Sequence, residues 1–489
     1  MTNVIPSEIP NSINGADCPA GTGELFEKLN PHDGALLCRV ARSRGDDVNR
    51  AVAAARNAFP GWADTTPVAR GEILHNLCDV LRAHRAEIAR IVALETGKSL
   101  KSALGETDGA IQLGRFYAGE GQRLYGRTTT SGTPNKTAMT VREPLGVAGL
   151  IIAANTPIAN VAWKVFPALI CGNAAVLKAA EDTPVTAWFF EKCARETGLP
   201  PGVLNVIHGF GIEAGAALVG HAGVAVISFT GSTKAGREIA VSAGRRLAKV
   251  SLELGGKNPL VVCDDADLDN AVTWTLLSAF SNAGQRCAAG SRIIVFDAVY
   301  EKFRDQLVER ASKQKVGPGD GDDYGPVVNG GQLNNILAAI ERAKQCGATI
   351  LTGGHRLSGA EHAGGFYLAP TLIEGADPDA EISTCELFGP VACLYRVKNF
   401  DEALALANRS EYGLTACIHT RNVHRAGQFT RRVQAGVAVV NAGTFGSEAH
   451  MPFGGVKQSG NGSREPGTEA LDIYSNLKDI YVTTDPSAC

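Results

Sequence analysis

An alternation of apolar runs with helical patterns constrains the fold of this chain more than any other feature. Apolar runs occupy residues 147–152, 174–177, 204–207 and 224–229, and a segment with helical spacing of its apolar residues follows each run. Parallel strands require long crossover connections, which are usually helices that cover both faces of the sheet. The alternation therefore predicts a parallel α/β sheet with helices on both of its faces.

A second α/β unit is predicted after residue 256, where the alternation restarts. Residues 259–263 and 293–296 have the composition of buried strands, and residues 267–282 between them have a helical pattern. The segment 46–119 also carries apolar residues at three- and four-residue spacing, which is typical of helices. At 489 residues the chain is too long for one ordinary core, so several domains are expected.

Two polar segments are predicted to form β-structure outside these sheets. Residues 127–143 are rich in Thr and are interrupted by Gly132-Thr-Pro-Asn135, a pattern typical of a hairpin. Residues 476–484 have the pattern of a final strand. A polar hairpin is hard to stabilise alone, so we expect it to pack on a partner, for example the C-terminal strand of another subunit.

Composition and charge exclude several classes of partner. The net charge of −3 and the pI near 6.4 provide neither a basic surface for nucleic acid nor a polybasic membrane patch. No run of 18 apolar residues occurs, and no positive flank with an apolar stretch opens the chain, so no membrane partner and no export are expected. The 12 cysteines lack CxxC spacing, which predicts neither a metal site nor a disulfide framework and favours a cytoplasmic protein.

Cys287 is the strongest candidate for a chemical role. It ends the segment Phe280-Ser-Asn-Ala-Gly-Gln-Arg-Cys287, and Glu253 precedes it by 34 residues in Leu252-Glu-Leu-Gly-Gly-Lys257. Small residues around a thiol allow close approach of the backbone, which nucleophilic catalysis needs. A free cysteine is more often a small buried hydrophobe, and a charged residue at a strand end is usually solvated. From these residues alone, both interpretations stay open.

Two further segments lie at predicted junctions between a strand and a helix. In Ala153-Ala-Asn-Thr-Pro157 the amide of Asn155 either donates to a developing oxyanion or forms a local turn or helix cap. In Phe229-Thr-Gly-Ser-Thr-Lys-Ala-Gly236 small and hydroxyl residues precede a helix, whose free N–H groups and dipole favour a pyrophosphate. No GxGxxG motif occurs with the strand and helix context of the usual dinucleotide fingerprint.

Together these motifs resemble the NAD(P)-dependent aldehyde dehydrogenase superfamily, of the non-acylating, hydrolytic type, over about residues 13–482. The resemblance implies an α/β fold with two parallel-sheet domains and a β oligomerisation arm, in a homodimer or homotetramer. It assigns residues 1–121 and 145–254 to an NAD-binding domain and residues 255–455 to a catalytic domain. Residues 122–144 and 456–489 would form the oligomerisation arm and the C-terminal strand.

The resemblance also implies a reaction. Cys287 would add to the aldehyde carbon, and Asn155 with the backbone N–H of Cys287 would bind the oxyanion. Glu253 would activate the water that hydrolyses the resulting thioester to the carboxylic acid. Relatives that pass the acyl group to coenzyme A typically lack this base. A coenzyme A-acylating aldehyde dehydrogenase and a non-catalytic protein on the same fold remain as alternatives.

NAD is the cofactor that the resemblance implies, with NADP disfavoured. Lys178 and Glu181 would hold the hydroxyls of the adenine ribose, and the Glu181 carboxylate would repel a 2′-phosphate. Glu386 would bind the nicotinamide ribose and Phe388 would pack against its ring. The full set of cofactor-binding residues is Lys178, Glu181, Gly231, Ser232, Gly236, Leu254, Glu386 and Phe388.

The substrate residues by resemblance are Trp163 and Phe453, which would line the aldehyde tunnel, and Arg286. Arg286 either binds an anionic tail of the aldehyde, as in a semialdehyde or a phosphorylated or phosphonylated aldehyde, or pairs with a neighbouring acid. Ser281 stands where succinic semialdehyde enzymes of this family often carry Arg, which argues against that substrate. His450 and Glu448 are interpreted as a polar loop edge and not as metal ligands.

The sequence departs from the family pattern at two places. Ala153, two residues before Asn155, stands where the family usually has Pro. The segment 459–465 contains one residue more than the family pattern before Arg464-Glu465. Neither departure removes a residue to which the resemblance assigns a role.

Overall fold

The computed structural model describes residues 5–488. The α-helices of this part are α1 (Gly45–Asp64), α2 (Pro67–Ala83), α3 (Arg85–Thr96), α4 (Leu100–Glu120), α5 (Pro157–Ile170), α6 (Pro184–Arg195), α7 (Ala216–Gly220), α8 (Thr233–Gly244), α9 (Leu268–Phe280), α10 (Asp297–Ser312), α11 (Gly330–Gln345), α12 (Glu381–Thr384), α13 (Phe400–Asn408), α14 (Val423–Arg432) and α15 (Ala470–Ile473). The strands are β1 (Glu8–Ile9), β2 (Asn11–Ile13), β3 (Ala16–Cys18), β4 (Leu25–Leu29), β5 (Leu36–Ala41), β6 (Thr128–Thr130), β7 (Lys136–Pro144), β8 (Val147–Ile151), β9 (Ala174–Lys178), β10 (Leu204–Ile207), β11 (Val226–Gly231), β12 (Lys249–Leu254), β13 (Asn258–Val262), β14 (Gly290–Phe296), β15 (Thr349–Thr352), β16 (Thr371–Glu374), β17 (Val391–Val397), β18 (Tyr412–Gly413), β19 (Thr415–His419), β20 (Val437–Val440), β21 (Val456–Lys457) and β22 (Ser475–Thr483).

The first large sheet has seven strands in the order β12-β11-β8-β9-β10-β2-β3. Strands β8 to β12 pair in parallel, and the short strands β2 and β3 extend the far edge in antiparallel pairing. Every residue of β8, β9 and β10 is buried, because helices cover both faces, so these strands appear in the sequence as continuous apolar runs. The predicted parallel sheet is confirmed.

The strand order of this sheet reverses beside β8. From β8 the chain proceeds outward to β9 and β10, whereas β11 and β12 lie on the opposite side of β8. In open α/β sheets, ligands bind outside the carboxyl ends of the strands at such a switch point. The loops that follow β8 and β11 are therefore expected to face a binding site.

The second large sheet has seven strands in the order β15-β16-β17-β14-β13-β19-β20. All neighbours pair in parallel except β15 with β16, which pair in antiparallel. The predicted second α/β unit is confirmed, and α9 lies within the predicted helical segment 267–282. A separate apolar core, which includes Phe280, Phe303 and Phe429, packs around this sheet.

A three-stranded antiparallel sheet, β22-β7-β6, contains the predicted polar hairpin. Strand β22 pairs with β7 of the same chain along its whole length, from Ser475 opposite Pro144 to Thr483 opposite Lys136. The expectation that the C-terminal strand pairs with the hairpin of another subunit is therefore wrong, because the hairpin finds its partner within its own chain. Leu477 and Tyr481 of β22 remain exposed.

No helix within residues 5–488 combines the length and the apolar character that a crossing of the bilayer requires.

Candidate active site

Two cavities meet at Cys287. One has a volume of about 430 Å³ and the other of about 350 Å³. Asn155, Thr156, Trp163, Cys287 and Phe453 line both of them. The thiol therefore lies on the boundary that the two cavities share.

The loop before β14 fixes the position of Cys287. In the preceding 3₁₀ turn, Asn282 and Ala283 adopt left-handed backbone angles, with φ of 55° and 54°. Gly284 follows with φ of +67°, and a Cβ at this position would lie 2.2 Å from the carbonyl oxygen of Gly389. The Asn258 amide at the start of β13 donates to the Cys287 carbonyl at 2.8 Å. Only glycine fits at position 284, which explains the small residues of the motif.

The Cys287 thiol is protonated in this environment. Burial, followed by the carboxylates of Glu386 and Glu253, raises the pKa of Cys287 to about 12. The backbone N–H of Ala288 and the charge of Arg286 lower the pKa of this thiol by smaller amounts. Because a thiolate is the nucleophile, the site must take up this proton before or during attack.

Glu253 is a buried carboxylate without a hydrogen bond. Its residue is 3% exposed, and neither Oε1 nor Oε2 has a hydrogen-bond partner within residues 5–488. Burial raises the pKa of Glu253 well above its ordinary value, the Glu465 carboxylate raises it as well, and Lys164 and Arg464 oppose them. Burying an unpartnered carboxylate is costly, and perturbed acids of this kind cluster at functional sites. Glu253 lines the second cavity together with Cys287.

Asn155 lies at the switch point, in the turn from β8 to α5. Its side-chain Nδ2 donates to the Gln285 carbonyl at 3.0 Å, and the second N–H of the amide stays available, since an amide carries two donors. The local-cap alternative does not describe Asn155, because Thr156 is the N-cap residue of α5. The first amide groups of this helix instead donate to the distant carboxylate of Glu106.

The predicted pyrophosphate segment forms the turn from β11 into α8. Ser232 is the N-cap of α8, and its hydroxyl accepts a hydrogen bond from the backbone N–H of Ala235. A Cβ at Gly231 would lie 2.4 Å from the Phe229 ring, and one at Gly236 would lie 2.6 Å from Leu254. The two glycines therefore keep the turn and the helix close to the strands, and the N-terminus of α8 is open to an anion.

Cavities lie on either side of this turn. The Ser232 side contains Glu386, Leu254 and Phe388. The other side is an apolar cavity of about 640 Å³ that Glu181 lines together with residues from α7 and α8. Lys178 pairs with Glu181 at 2.9 Å. Six of the eight predicted cofactor residues line these two cavities, Lys178 contacts Glu181, and Gly236 lies on α8 against Leu254.

Glu386 is held within the second cavity. Its Oε1 accepts from the backbone N–H of Gly256 at 3.1 Å. Burial raises the pKa of Glu386 to about 7, against the N–H of Gly256 and the charge of Lys257, which lower it. Near neutral pH this carboxylate is therefore divided between its two protonation states.

Arg286 points into the first cavity without a carboxylate partner. Its guanidinium stacks on the Phe445 ring with 4.9 Å between Cζ and the ring centroid, and its Nε donates to the Ser281 hydroxyl at 3.3 Å. Within residues 5–488, no ion pair involves Arg286, but the Glu106 carboxylate lines the same cavity and opposes the lowering of the Arg286 pKa. Burial lowers the pKa of Arg286, although the group remains a cation at neutral pH.

The aromatic wall of the first cavity consists of Trp163 and Phe453. Their rings meet edge to face with 5.5 Å between the centroids, an arrangement that aromatic pairs favour. Glu448 and His450 also line this cavity. Their side chains are largely exposed, and 3.6 Å separates His450 Nε2 from Glu448 Oε2. The two residues therefore form a polar rim of the cavity.

The additional residue in segment 459–465 has a local explanation. Asn461 accepts a hydrogen bond from the Leu252 N–H at 3.1 Å and donates to the Val250 carbonyl at 2.8 Å. Its side-chain amide thus satisfies two backbone groups at the free edge of β12. This edge leads directly to Glu253, whose backbone bridges to Gly460.

Sequence reasoning missed the polar groups behind the site. Lys98 and Glu106 form an ion pair next to Asn155, yet in the sequence they look like ordinary charges at the start of a helix. Asn282 and Gln285 belong to the recognised cysteine motif, but their roles depend on contacts with Asn155. Asn258 follows Lys257 and had no distinguishing pattern.

Known proteins resemble this chain over almost its whole length. A model described as the aldehyde dehydrogenase family matches residues 19–480. An α-ketoglutaric semialdehyde dehydrogenase from Bacillus subtilis (strain 168) is 39% identical over 475 residues, which cover 96% of this chain and 97% of that protein. A mitochondrial benzaldehyde dehydrogenase from Antirrhinum majus is 41% identical, covering 96% of this chain and 88% of that protein. A solved structure of betaine aldehyde dehydrogenase from Staphylococcus aureus in complex with NAD+ matches with a TM-score of 0.96 and 33% identity, covering 99% and 96% of the two chains.

Proposed function

The chain belongs to the aldehyde dehydrogenase family, and we propose that it oxidises an aldehyde with an anionic tail to the carboxylic acid, with NAD as the oxidant. One observation carries the reaction: Cys287, Asn155 and Glu253 line a single cavity. These three groups supply a nucleophile, an oxyanion donor and a base. Glu253 lies at the end of β12, Asn155 in the turn after β8, and Cys287 in the loop before β14.

The first half of the reaction forms a covalent adduct. The Cys287 sulfur bonds to the aldehyde carbon as the thiol proton passes to water, and the carbonyl π electrons move to the oxygen, which becomes an oxyanion. The free N–H of Asn155 and the backbone N–H of Cys287 donate to this oxyanion. The product is a thiohemiacetal on Cys287. NAD, which Ser232 and Glu386 would hold, would supply the hydride acceptor; loss of the hydride from that carbon would leave a thioester on Cys287.

The second half releases the acid. Glu253, in its ionised form, takes a proton from a water molecule as that water attacks the thioester carbon. The carbon–sulfur bond breaks, the acyl group leaves as the carboxylic acid, and the Cys287 sulfur takes up a proton again. The buried, unpartnered state of Glu253 supports this role, since a carboxylate that makes no hydrogen bond to protein is free to accept one from water.

Several features of the second cavity support NAD as the cofactor. Gly231 and Gly236 keep the turn close to the strands, the α8 N-terminus favours a pyrophosphate, and Glu386 and Phe388 line the nicotinamide side. Glu181 places a carboxylate on the adenosine side, where it would repel the 2′-phosphate of NADP. The related betaine aldehyde dehydrogenase was solved with NAD+.

The charges of the first cavity support an anionic tail. Glu106 also lines this cavity and acts on the charge of Arg286, but its carboxylate is paired with Lys98, so Arg286 forms no ion pair of its own within the described residues. A carboxylate or phosphate on the substrate could form a bidentate ion pair with the Arg286 guanidinium. The related enzyme from Bacillus subtilis is named for a semialdehyde, an aldehyde that carries one carboxylate. A hydrolytic fate and not acyl transfer to coenzyme A is proposed because Glu253 is present.

We further propose the domain division predicted above, with a homodimer or homotetramer assembled through the β6-β7-β22 arm. The first sheet belongs to the ranges 1–121 and 145–254, and the second to 255–455; residues 1–4 and 489 lie outside the described residues. A cytoplasmic location is proposed because 11 cysteines within the described residues are free, as expected in a reducing compartment.

A substrate panel tests the proposed function. NADH formation is measured with neutral aliphatic, aromatic, carboxylate-bearing and phosphorylated aldehydes, with Cys287→Ala as the inactive control. We expect kcat/KM for an anionic aldehyde to exceed that for its neutral counterpart by about tenfold or more. Equal values would overturn the anionic tail. The product is identified with and without coenzyme A, and an acyl-coenzyme A product would overturn the hydrolytic assignment.

A further inference from the structure

We propose that the buried pair Lys98 and Glu106 is a positioning device that holds Asn155 in the geometry needed for oxyanion binding. The inference rests on the proposed function and adds two residues to it. Neither residue is within the reacting set of Cys287, Glu253 and Asn155. Both act on the turn that carries Asn155.

Lys98 is joined to the Asn155 backbone directly. Its Nζ donates to the carbonyl oxygen of Asn155 at 2.8 Å and contacts Oε2 of Glu106 at 2.5 Å. The two side chains are only 5% and 7% exposed. Lys98 follows the left-handed C-cap Gly97 of α3, so its backbone is fixed between two helices. The ammonium therefore reaches the Asn155 turn from a rigid base.

Glu106 holds the same turn from the other side. Its Oε1 accepts from the backbone N–H groups of Ile158 and Ala159, at 3.1 and 3.3 Å. These are among the first N–H groups of α5, which have no intrahelical partner, and the N-cap residue Thr156 makes no side-chain cap bond. A carboxylate at this end of the helix is also favoured by the helix dipole. Glu106 thus fixes the start of α5 immediately after Asn155.

The turn is also coupled to the nucleophile loop. The Asn155 carbonyl accepts a second hydrogen bond, from Asn282 at 3.3 Å, and its side-chain amide donates to Gln285. Asn155 therefore contacts Lys98, Asn282 and Gln285, and it lines both cavities with one side-chain N–H left unused by these contacts. Oxyanion donors work only when they are placed before the charge develops, and supporting hydrogen bonds provide that placement.

A merely structural pair would be replaceable. Buried ion pairs can often be exchanged for apolar residues of similar size with little loss of stability. Here, an apolar replacement at position 98 removes a donor from the Asn155 carbonyl, and one at position 106 leaves two N–H groups of α5 unpaired. Either replacement would disturb the turn that carries Asn155. The loss of activity that it causes should therefore depend on whether the Asn155 side-chain amide is present.

A double-mutant cycle with Asn155→Ala tests this dependence. We expect Lys98→Met to lower kcat about tenfold with KM changed less than about twofold, because an oxyanion contact is made mainly in the transition state. In the Asn155→Ala background, the same substitution should lower kcat less than about twofold. A tenfold loss in both backgrounds would overturn the proposal, as would rates that Lys98→Met leaves unchanged.

Two further variants keep the test informative if Lys98→Met does not fold. Glu106→Gln retains an oxygen for the α5 amides but removes the charge that holds Lys98, and Lys98→Arg retains a cation at the site. We expect a partial loss of kcat in the first and recovery to within about threefold of the native value in the second. Glu120→Gln is the matched control: Glu120 lies on the same helix, α4, pairs with Arg123, and its side chain is 4% exposed, so its loss should leave kcat unchanged.

An ester substrate separates this proposal from the proposed function. Hydrolysis of p-nitrophenyl acetate acylates Cys287 through an oxyanion but needs no NAD and no aldehyde. If the native enzyme oxidises no aldehyde of the panel, the proposed function fails. The rate of the p-nitrophenol burst, measured in the Lys98→Met and Asn155→Ala single and double variants, still tests the role of Lys98 and Glu106. Additive losses in that rate would overturn the positioning role, and non-additive losses would support it.

Discussion

The carboxylate of Glu253 faces the same cavity as the thiol of Cys287 and raises the pKa of that thiol. The two groups come from different sheets, Glu253 from β12 and Cys287 from the loop before β14. The base for the second half of the reaction therefore opposes the formation of the thiolate in the first half. A low-dielectric site disfavours two neighbouring anions, so the two negative charges are needed at different stages.

We expect Glu253→Gln to increase the rate at which iodoacetamide alkylates Cys287. Removing the carboxylate lowers the pKa of the thiol and raises the thiolate fraction, by about three- to tenfold near pH 8 for an interaction of about one kcal/mol. Mass spectrometry of the Cys287 peptide measures the rate, and the exposed Cys346 is an internal reference. In the native enzyme, alkylation of Cys287 should rise with pH beyond pH 9. An unchanged rate in the variant would contradict the electrostatic coupling.

The same variant should separate the two halves of turnover. Glu253→Gln retains Cys287 and Asn155, so one equivalent of NADH should still form rapidly. The steady rate should then fall by about 10² or more, since general bases contribute on that order. Stopped-flow absorbance of NADH measures both phases. Equal burst and steady rates would show that deacylation does not depend on Glu253.

The rate of deacylation should rise with pH. The acid form of Glu253 cannot act as a base, and burial raises the pKa of this group. The active carboxylate is therefore lost as pH falls through a value well above the ordinary range for Glu. Single-turnover release of the acid, measured between pH 5 and 9, checks this. A rate that stays level down to pH 5, as a carboxyl with the ordinary pKa of about 4.3 would give, would contradict it.

The sequence was sufficient to predict both parallel sheets. Strands β8 to β10 consist mainly of consecutive apolar residues with turn residues between the elements. Few folds other than a parallel sheet covered on both faces produce that pattern. The partner of strand β22 was not predictable in this way. Its pairing with β7 joins residues more than 300 positions apart, and a polar strand shows no preference for its own chain over another.

Prediction of the site was uneven for a similar reason. Cys287, Glu253 and Asn155 lie in motifs with local patterns, whereas Lys98 reaches Asn155 across 57 residues of sequence. The question of whether Arg286 pairs with an acid also stayed open. Its answer depends on which groups the fold places near the guanidinium, and here these are an aromatic ring and a hydroxyl. Contacts that only the tertiary structure creates leave no periodicity in the chain.

Arg286 should determine the preference for an anionic aldehyde. We expect Arg286→Met to lower kcat/KM about tenfold or more for an anionic aldehyde, corresponding to about 1.4 kcal/mol, and to leave that for a neutral aldehyde within about twofold. Arg286→Lys should retain part of the preference, because a point charge lacks the bidentate geometry. Ser281→Ala removes the hydroxyl that contacts Arg286 and is the milder control. An equal loss for both aldehydes would indicate a structural role.

The exposed apolar residues of β22 should mediate assembly. Leu477 is 58% exposed although it lies in a regular strand, which is typical of a surface that another subunit covers. We expect Leu477→Lys to lower the number of subunits measured by size-exclusion chromatography with light scattering. Leu36→Lys is the control, because Leu36 is also an exposed strand residue, at 47%, but lies outside the arm. Full assembly of the Leu477 variant would contradict an interface at this position.

Glu181 should set the choice between NAD and NADP. Its side chain pairs with Lys178 and is 43% exposed, so part of its repulsion toward a 2′-phosphate is screened by water. We expect Glu181→Ser to raise kcat/KM for NADP by about tenfold, equivalent to about 1.4 kcal/mol, because Lys178 is then free to bind the phosphate. The value for NAD should fall as a contact with the ribose hydroxyls is lost. Glu238→Gln removes a charge from the wall of the same cavity without removing the partner of Lys178, and it should leave the ratio of the two cofactors nearly unchanged. If both variants shift the ratio equally, the total charge of the cavity, and not the Glu181 carboxylate itself, governs selection.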